Sequence, residues 1–236
     1  MNELRIIPVP GVGNIAKGDD LVGVFIEATD AASISLLDTD LVIITSKVVS
    51  KSEGQVVAFD GSEEHKVRLV EQEAKRVLRR RGPLRITESH HGFVSANAGI
   101  DLSNADEGTA VLLPKDPDRS ARRFRSELRR RRNVDVAVII TATFGRVWRN
   151  GVTDIALGSA GILPILDLRG TRDANGRQLE ATEVAIADEI AGAANLVLGK
   201  AKGTPFAIVR GLDPSYFGDG SISEHMVRSP FDDLFR

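Results

Sequence analysis

The feature that most constrains the fold is a near-continuous apolar run at residues 134–141, which reads VDVAVIIT. A strand that is apolar on both faces is typical of a sheet that other elements cover from both sides. Residues 41–46, LVIITS, form a second β-branched apolar run that ends at Lys47. The two runs therefore predict buried strands inside the domain.

Strand and helix patterns mix along the rest of the chain. Further strands are predicted at residues 4–9, 55–59, 110–113, 162–168 and 206–210. Helices are predicted at residues 19–29, 63–81, after the N-cap Asp116 and at 182–201, from helical spacing and helix-start signals. Because these elements follow no strict βαβ repeat, the sequence predicts a mixed α/β (α+β) fold. Residues 211–236 are predicted to be an irregular tail after a domain spanning 1–210.

Composition excludes several classes of protein. A net charge of −2 gives no electrostatic case for binding nucleic acid or an anionic membrane. The absence of cysteine excludes disulfides, thiolate metal sites and a cysteine nucleophile. No apolar run approaches the roughly 20 residues that span a bilayer, and residues 1–10 lack the pattern of a signal peptide. We therefore expect a cytoplasmic protein.

Residues 91–104, HGFVSANAGIDLSN, form a polar, small-residue segment that leads to one carboxylate. This carboxylate is Asp101, and Asn104 follows three residues later. A carboxylate with a nearby amide on a glycine-containing loop suits a hard divalent cation. An Asx-turn or a helix cap explains the same pattern equally well. The segment is thus a candidate site with two open interpretations.

A second polar segment, TATFGRVWRNG at residues 141–151, follows the buried run and is predicted to be a loop. Its Arg146 and Arg149 flank Trp148, and guanidinium groups suit carboxylate or phosphate recognition. The alternative is a surface loop anchored by a packed tryptophan. Since Trp148 is the only tryptophan of a chain poor in aromatic residues, the functional interpretation is favoured.

Lys47 and Lys51 are four residues apart and would share one face of a strand, so they could converge on one anion. A solvated strand end is the favoured alternative. Ser46 could reach the same ligand as Lys51 only if the strand ends or bulges between them.

The G-x-G-x-x-A spelling at residues 11–16 resembles a dinucleotide turn, but Lys17 and Gly18 interrupt it before the helix begins. The hypothesis of an NAD(P)-dependent oxidoreductase therefore has only weak support. The GK[ST] phosphate loop is absent, because Gly199 and Lys200 are followed by Ala201.

Four segments together resemble the coenzyme F420:L-glutamate ligase family, including the N-terminal half of the fused mycobacterial-type ligase. They are HGFVSANAGIDLSN, LLPKDPDRSA, ITATFGRVWRNG and ATEVAIADEIAGAANLVLGKAKG, and the resemblance covers residues 6–210. It implies a two-lobed mixed α/β monomer in an intertwined homodimer, with a flavin domain as a candidate partner in trans. It also implies a ligase that joins L-glutamate to F420-0 through a γ-linked amide and an acyl phosphate. GTP, Mn²⁺ or Mg²⁺, and a monovalent cation are the implied co-substrate and candidate cofactors.

The resemblance also assigns residues, motif by motif. Those implied to line or border the nucleotide are Val12, Gly13, Asn14, Ile15, Ser46, Lys51, Asn104, Gly199 and Lys200, with Lys51 neutralising phosphate charge. Asp101 and Thr143 are the implied metal ligands. The candidate catalytic residues are Lys51, Asp101, Arg146 and Arg149.

One position departs from the family pattern, which reads Thr-Asp-Thr-Phe-Gly-Arg-Pro-Trp-Arg. The family's aspartate, a metal ligand that bridges to the phosphates, is Ala142 here, and alanine offers no oxygen to a cation. Metal coordination is a main source of charge stabilisation in phosphoryl transfer. The chain could thus be an engineered inactive variant, a natural homologue with altered activity, or a nucleotide- or deazaflavin-binding relative that no longer ligates. Val147 and Val152, which replace a proline and a glutamine, favour natural divergence.

Overall fold

The computed structural model describes residues 3–103, 106–199 and 203–234. Its strands are β1 (Arg5–Val9), β2 (Leu41–Thr45), β3 (Val56–Ala58), β4 (Ala74–Arg81), β5 (Leu84–Ser89), β6 (Val94–Ala96), β7 (Thr109–Val111), β8 (Ala137–Arg146), β9 (Arg149–Ala160), β10 (Leu166–Asp167), β11 (Glu183–Val184) and β12 (Phe206–Arg210). Its helices are α1 (Leu21–Ala31), α2 (Ser46–Ser52), α3 (Glu63–Glu73), α4 (Pro117–Arg132), α5 (Ile186–Leu198) and α6 (Ile222–His225). The mixed α/β fold predicted from the sequence is confirmed.

A five-stranded sheet in the order β1-β12-β2-β8-β9 forms the centre of the fold. Strands β2 and β8 are parallel, from Leu41 opposite Ala137 to Thr45 opposite Thr141, and the other pairs of this sheet are antiparallel. These two strands are the apolar runs that predicted buried strands. Because they are parallel neighbours, their carboxyl ends meet at one edge of the sheet.

Each face of this sheet packs against its own set of helices. On one face, Ile43 and Ile139 belong to a hydrophobic cluster that includes Ile190 of α5. On the other, Val42 and Val138 belong to a cluster with the aromatic and aliphatic side chains of α1 and α4. Burial on both faces explains why the two runs lack the alternation of a half-exposed strand.

Helix α4 begins as the sequence predicts. The side chain of Asp116 accepts a hydrogen bond from the backbone N–H of Arg119 at 2.9 Å, and Pro117 occupies the first helical turn. This end of the helix presses against β9 at Gly158, where an added Cβ would lie 2.2 Å from the carbonyl carbon of Pro117. Only glycine permits so close an approach.

The helix predicted at residues 63–81 is wrong in its second half. Helix α3 ends at Glu73, and residues 74–81 form β4, which pairs antiparallel with β5 across a turn at Gly82. Backbone pairing in the sheet β4-β5-β6 outweighs the apolar spacing, which happened to continue the helical period across the boundary. Gly82, predicted to end a helix, instead has the positive φ of a hairpin turn.

Three further predictions need correction. The strand predicted at 162–168 contracts to β10, and the helix predicted from 182 begins at Ile186, after β11 has paired with β10. The tail is not wholly irregular, because it contains a 3₁₀ turn at Pro214–Tyr216 and helix α6. Its Ile222 is buried in the main hydrophobic cluster. The division into two lobes stays a prediction.

Candidate functional site

A cavity of about 650 Å³ opens at the sheet edge where β2 ends and β8 continues beyond it. The loop after β1, the start of α2, the segment around Asp101, and residues 203–205 also border it. Its lining contains the predicted site residues Val12, Gly13, Asn14, Ile15, Ser46, Lys51, Asp101, Thr143 and Gly199. The fold therefore brings together residues from five separate parts of the chain.

The loop at residues 11–16 borders the cavity without opening a helix. Strand β1 ends at Val9 and α1 begins only at Leu21. A dinucleotide turn needs its glycines to lead directly into the helix. This geometry agrees with the sequence, in which Lys17 and Gly18 interrupt the pattern before the helix begins.

Lys47 and Lys51 lie on helix α2, not on the strand that the sequence predicted. Strand β2 ends at Thr45, so the break that would let Ser46 and Lys51 reach one ligand is present. A spacing of four residues also places the two lysines on one face of a helix. The side chain of Lys51 is only 11% exposed, and its ammonium lies 3.8 Å from the carboxylate of Asp106.

Asp101 is held by both its backbone and its side chain. Its N–H and C=O exchange hydrogen bonds with Val111 at 2.9 and 3.0 Å. Oδ1 accepts from the N–H and the hydroxyl of Ser103, at 2.7 and 2.6 Å, which is the Asx-turn of the alternative interpretation. Oδ2 lies 2.7 Å from the ammonium of Lys47, which also donates to the Ser103 carbonyl.

The contacts around Asp101 keep its carboxylate charged. Burial raises the pKa, but the hydrogen bonds from Lys47 and Ser103 and the charge of Lys47 outweigh it, so the pKa lies below its usual value. The anionic carboxylate of Asp101 already contacts one cation, the ammonium of Lys47. The structure thus shows the Asx-turn, and cation binding at Asp101 stays a prediction.

Residues 141–151 form a β-hairpin, not the predicted loop. Thr141 to Thr143 extend β8, and the antiparallel register sets Thr143 opposite Asp154. Asp154 is only 5% exposed and borders the cavity. Thr143 donates its hydroxyl to Oδ1 of Asp154 at 2.6 Å, and Thr141 donates to Oδ2 at 3.3 Å.

Sequence reasoning missed Asp154. The signal that could have found it is the hairpin itself, since pairing β8 with β9 brings residue 154 across from residue 143. A loop at residues 141–151, as the sequence predicted, would not pair with a strand and would not bring Thr143 opposite Asp154.

The structure does not place Arg146 and Arg149 in the cavity. Both are exposed near the tip of the β8–β9 hairpin, where Arg146 donates to the carbonyl of Asn150 at 2.8 Å. Trp148 between them is 86% exposed, with φ of 64°. The alternative of a loop anchored by a packed tryptophan is therefore wrong. Asn104 and Lys200 lie outside the described residues.

Comparison with known proteins determines the family. The family model described as F420-0:Gamma-glutamyl ligase matches residues 11–211. The chain belongs to that family. This confirms the resemblance found in the sequence.

Three curated relatives of this ligase family carry the name Coenzyme F420:L-glutamate ligase. The protein from Methanopyrus kandleri is 41% identical over 251 residues, covering 99% of this chain and 98% of the relative. The one from Methanothermobacter thermautotrophicus is 37% identical, with 99% of both chains covered. The one from Haloarcula marismortui is 34% identical, covering 99% and 96%.

Within this F420-0:gamma-glutamyl ligase fold, Ala142 borders the cavity beside Thr143. The described residues contain no group of three or more acidic, histidine or cysteine side chains that could hold a metal ion. Val147 and Val152 are exposed on the hairpin and do not border the cavity. The replacement that bears on the site's chemistry is therefore Ala142.

In the described part of the chain, no helix is both long enough and apolar enough to cross a membrane.

Proposed function

We propose that this chain joins L-glutamate to F420-0 through an amide bond. GTP is the energy source, and a divalent cation assists the reaction. The relatives that cover nearly its full length are named for glutamate ligation to coenzyme F420. The observation that carries the proposal is the single cavity that Lys51, Asp101 and Thr143 all line. Its cation and its oxygen ligands suit a polyphosphate and a metal ion.

The proposed reaction has two steps. In the first, a carboxylate oxygen of F420-0 attacks the terminal phosphorus of GTP, the bond to the bridging oxygen breaks, and GDP leaves. In the second, the amine of L-glutamate attacks the acyl carbon, phosphate leaves with the bonding electrons, and the amine loses a proton to solvent. The buried ammonium of Lys51 would neutralise phosphate charge during the first step.

The donor chemistry around Asp101 fits Mg²⁺ or Mn²⁺, which prefer oxygen ligands. Asp101 offers a carboxylate and Thr143 a hydroxyl, both at the cavity. A cation bound there would neutralise charge on the transferring phosphate. The set is one carboxylate smaller than the family pattern because position 142 is alanine. We therefore expect weaker metal binding than in a relative with aspartate there.

A second candidate function is nucleotide or deazaflavin binding without ligation. It is favoured by Ala142 and by the ammonium of Lys47, which lies 2.7 Å from the carboxylate of Asp101. A lysine in that position partly fulfils the electrostatic role of a metal. Such a protein would bind nucleotide with an affinity that does not depend on divalent cations.

The test is a mass-spectrometric ligation assay with F420-0, L-glutamate, GTP and Mn²⁺. The chain is compared with Ala142→Asp, and with Asp188→Asn as a matched control outside the cavity. Product from the unchanged chain, dependent on both GTP and Mn²⁺, supports the proposal. Product from Ala142→Asp alone supports a ligase silenced at one ligand. If neither makes product and GTP binds equally with and without Mn²⁺, the binding protein is the better description.

The remaining family expectations stay predictions. They are the intertwined homodimer, the monovalent cation, a flavin domain acting in trans and a cytoplasmic location. Light scattering coupled to size-exclusion chromatography tests the first of them, with about 51 kDa expected for twice the 25.4 kDa chain.

A further inference from the structure

Asp154 is a buried carboxylate that the family assignment leaves without a role. It lies in β9, beside the cavity, and is almost fully buried. Burying a carboxylate is costly unless hydrogen bonds compensate it. Two threonine hydroxyls from the neighbouring strand do so, at 2.6 and 3.3 Å. A sheet that needed only packing here would be served by an apolar side chain.

The shorter of these hydrogen bonds fixes the direction of a proton. A threonine hydroxyl has one proton to donate and two lone pairs to offer. Since Thr143 donates its proton to Oδ1 of Asp154, its lone pairs remain for other partners. Without Asp154, the same hydroxyl could rotate and present its proton to the cavity. A cation would then meet the positive end of the hydroxyl dipole.

Oδ1 of Asp154 holds the Thr143 hydroxyl from the neighbouring strand β9. Groups that hydrogen-bond to a metal ligand orient it and raise its basicity, and their loss typically weakens metal binding about 10–100-fold.

We propose that Asp154 is a positioning residue, which holds the Thr143 hydroxyl in the orientation that a divalent cation requires. The inference rests on the proposed function, because it concerns the cation of that site. It assigns to Asp154 an action through Thr143, not direct coordination.

The test is a double-mutant cycle on Mn²⁺ affinity, measured by electron paramagnetic resonance of free Mn²⁺. Asp154→Ala, which removes both acceptor oxygens, and Thr143→Val should each weaken binding about tenfold or more. The double variant should bind no more weakly than Thr143→Val alone, since the interaction it removes is already lost. Thr143→Ser, which keeps the hydroxyl, should bind within about twofold of the parent.

Matched controls separate this role from a structural one. Asp188→Asn removes a carboxylate that accepts the N–H of Ala156, also in β9 but outside the cavity lining. It should leave Mn²⁺ affinity unchanged. Thermal melting and far-ultraviolet circular dichroism confirm that each variant is folded. If Asp154→Ala does not fold, Asp154→Val fills more of the buried volume and also lacks an acceptor, and it should also weaken Mn²⁺ binding.

Parental affinity in a folded Asp154 variant would overturn the inference. Additive losses in the cycle would overturn it too, because they would mean that Asp154 acts on the cation independently of Thr143. A parent that binds no Mn²⁺ at millimolar concentration, with or without GTP, contradicts both the inference and the metal-dependent function. A parent that binds Mn²⁺ but makes no product contradicts ligation alone, and the cycle still decides the role of Asp154.

Discussion

The two carboxylates at the cavity, Asp101 and Asp154, are held in opposite ways. Asp101 lies on an irregular segment, has a side chain that is 37% exposed, and contacts the ammonium of Lys47. Asp154 lies within a strand, is almost fully buried, and accepts from threonine hydroxyls that the β8–β9 register places opposite it. One carboxylate can exchange partners at the surface, whereas the other is fixed by the sheet.

This difference suggests that Asp101 and Asp154 have different roles at the site. A partly exposed ion pair contributes little to stability, typically about 0–1 kcal/mol, so Lys47 can yield its place on Asp101 at small cost. Removing a hydrogen bond from a buried carboxylate is far more costly. We therefore expect the exposed carboxylate to contact the cation and the buried one to orient what contacts it.

The most severe way to break this comparison is Asp101→Asn. The variant removes the charged oxygen that we assign to the cation, so Mn²⁺ affinity should fall by more than about 100-fold, beyond the loss expected for an orienting residue. Ligation should become undetectable while thermal stability changes little, since the side chain is partly exposed. Equal metal affinity in Asp101→Asn and the parent would remove Asp101 from the metal site.

Ala142→Asp is the complementary change, because it adds a carboxylate beside Thr143. Mn²⁺ affinity should rise about tenfold or more, as affinity follows the number of charged ligands. Titration of Mn²⁺ with GTP present measures the effect, and Ala142→Asn controls for the added volume. An equal rise in both variants would show that charge is not the cause.

Lys47→Met should produce a smaller gain. Removing the ammonium from Asp101 eliminates its competition with a divalent cation, and we expect about two- to fivefold tighter Mn²⁺ binding. Lys115→Met, a change at an exposed lysine outside the cavity, is the matched control. Weaker binding in Lys47→Met would show that the lysine assists the cation or the nucleotide.

The smallest expected effect concerns Asp188, a partly buried carboxylate that accepts the N–H of Ala156. Burial raises its pKa, and the hydrogen bond from the Ala156 N–H only partly opposes this. Its protonated form therefore stabilises the fold below the unfolded pKa of about 3.8, and this stabilisation is lost as the pH rises through the folded pKa. Relative to Asp188→Asn, the parent should lose about 1 kcal/mol or less between pH 4 and pH 7. Urea unfolding at both pH values measures the difference, and a constant difference would contradict the assignment.

Local signals in the sequence predicted much of the fold. The apolar runs of β2 and β8 report burial on both faces, and Asp116 with Pro117 predicts the start of α4. Strand β4 could not be predicted in this way, because its apolar spacing suits a helix and only its pairing with β5 makes it a strand.

The site shows the same limit. Motif resemblance predicted residues that are far apart in the sequence, among them Ser46, Asp101 and Thr143, and the fold gathers them at one cavity. Asp154 belongs to none of those motifs, and it lies opposite Thr143 only because of the register between β8 and β9. Arg146 and Arg149 are the opposite case, because their guanidinium groups suit phosphate recognition but lie outside the cavity.

The carboxylate of Asp118 joins parts of the molecule that the sequence treats as separate. Its oxygens accept the N–H groups of Ser159 in β9, Ile222 and Ser223, at 2.9 to 3.1 Å. These hydrogen bonds connect the strand that carries Asp154 to the segment beyond residue 210. The match to the family model ends at residue 211, but these hydrogen bonds join the segment beyond it to the rest of the fold. A chain truncated at residue 211 would lose two of these three hydrogen bonds. Strand β9, which carries Asp154 at the wall of the cavity, would lose part of its support.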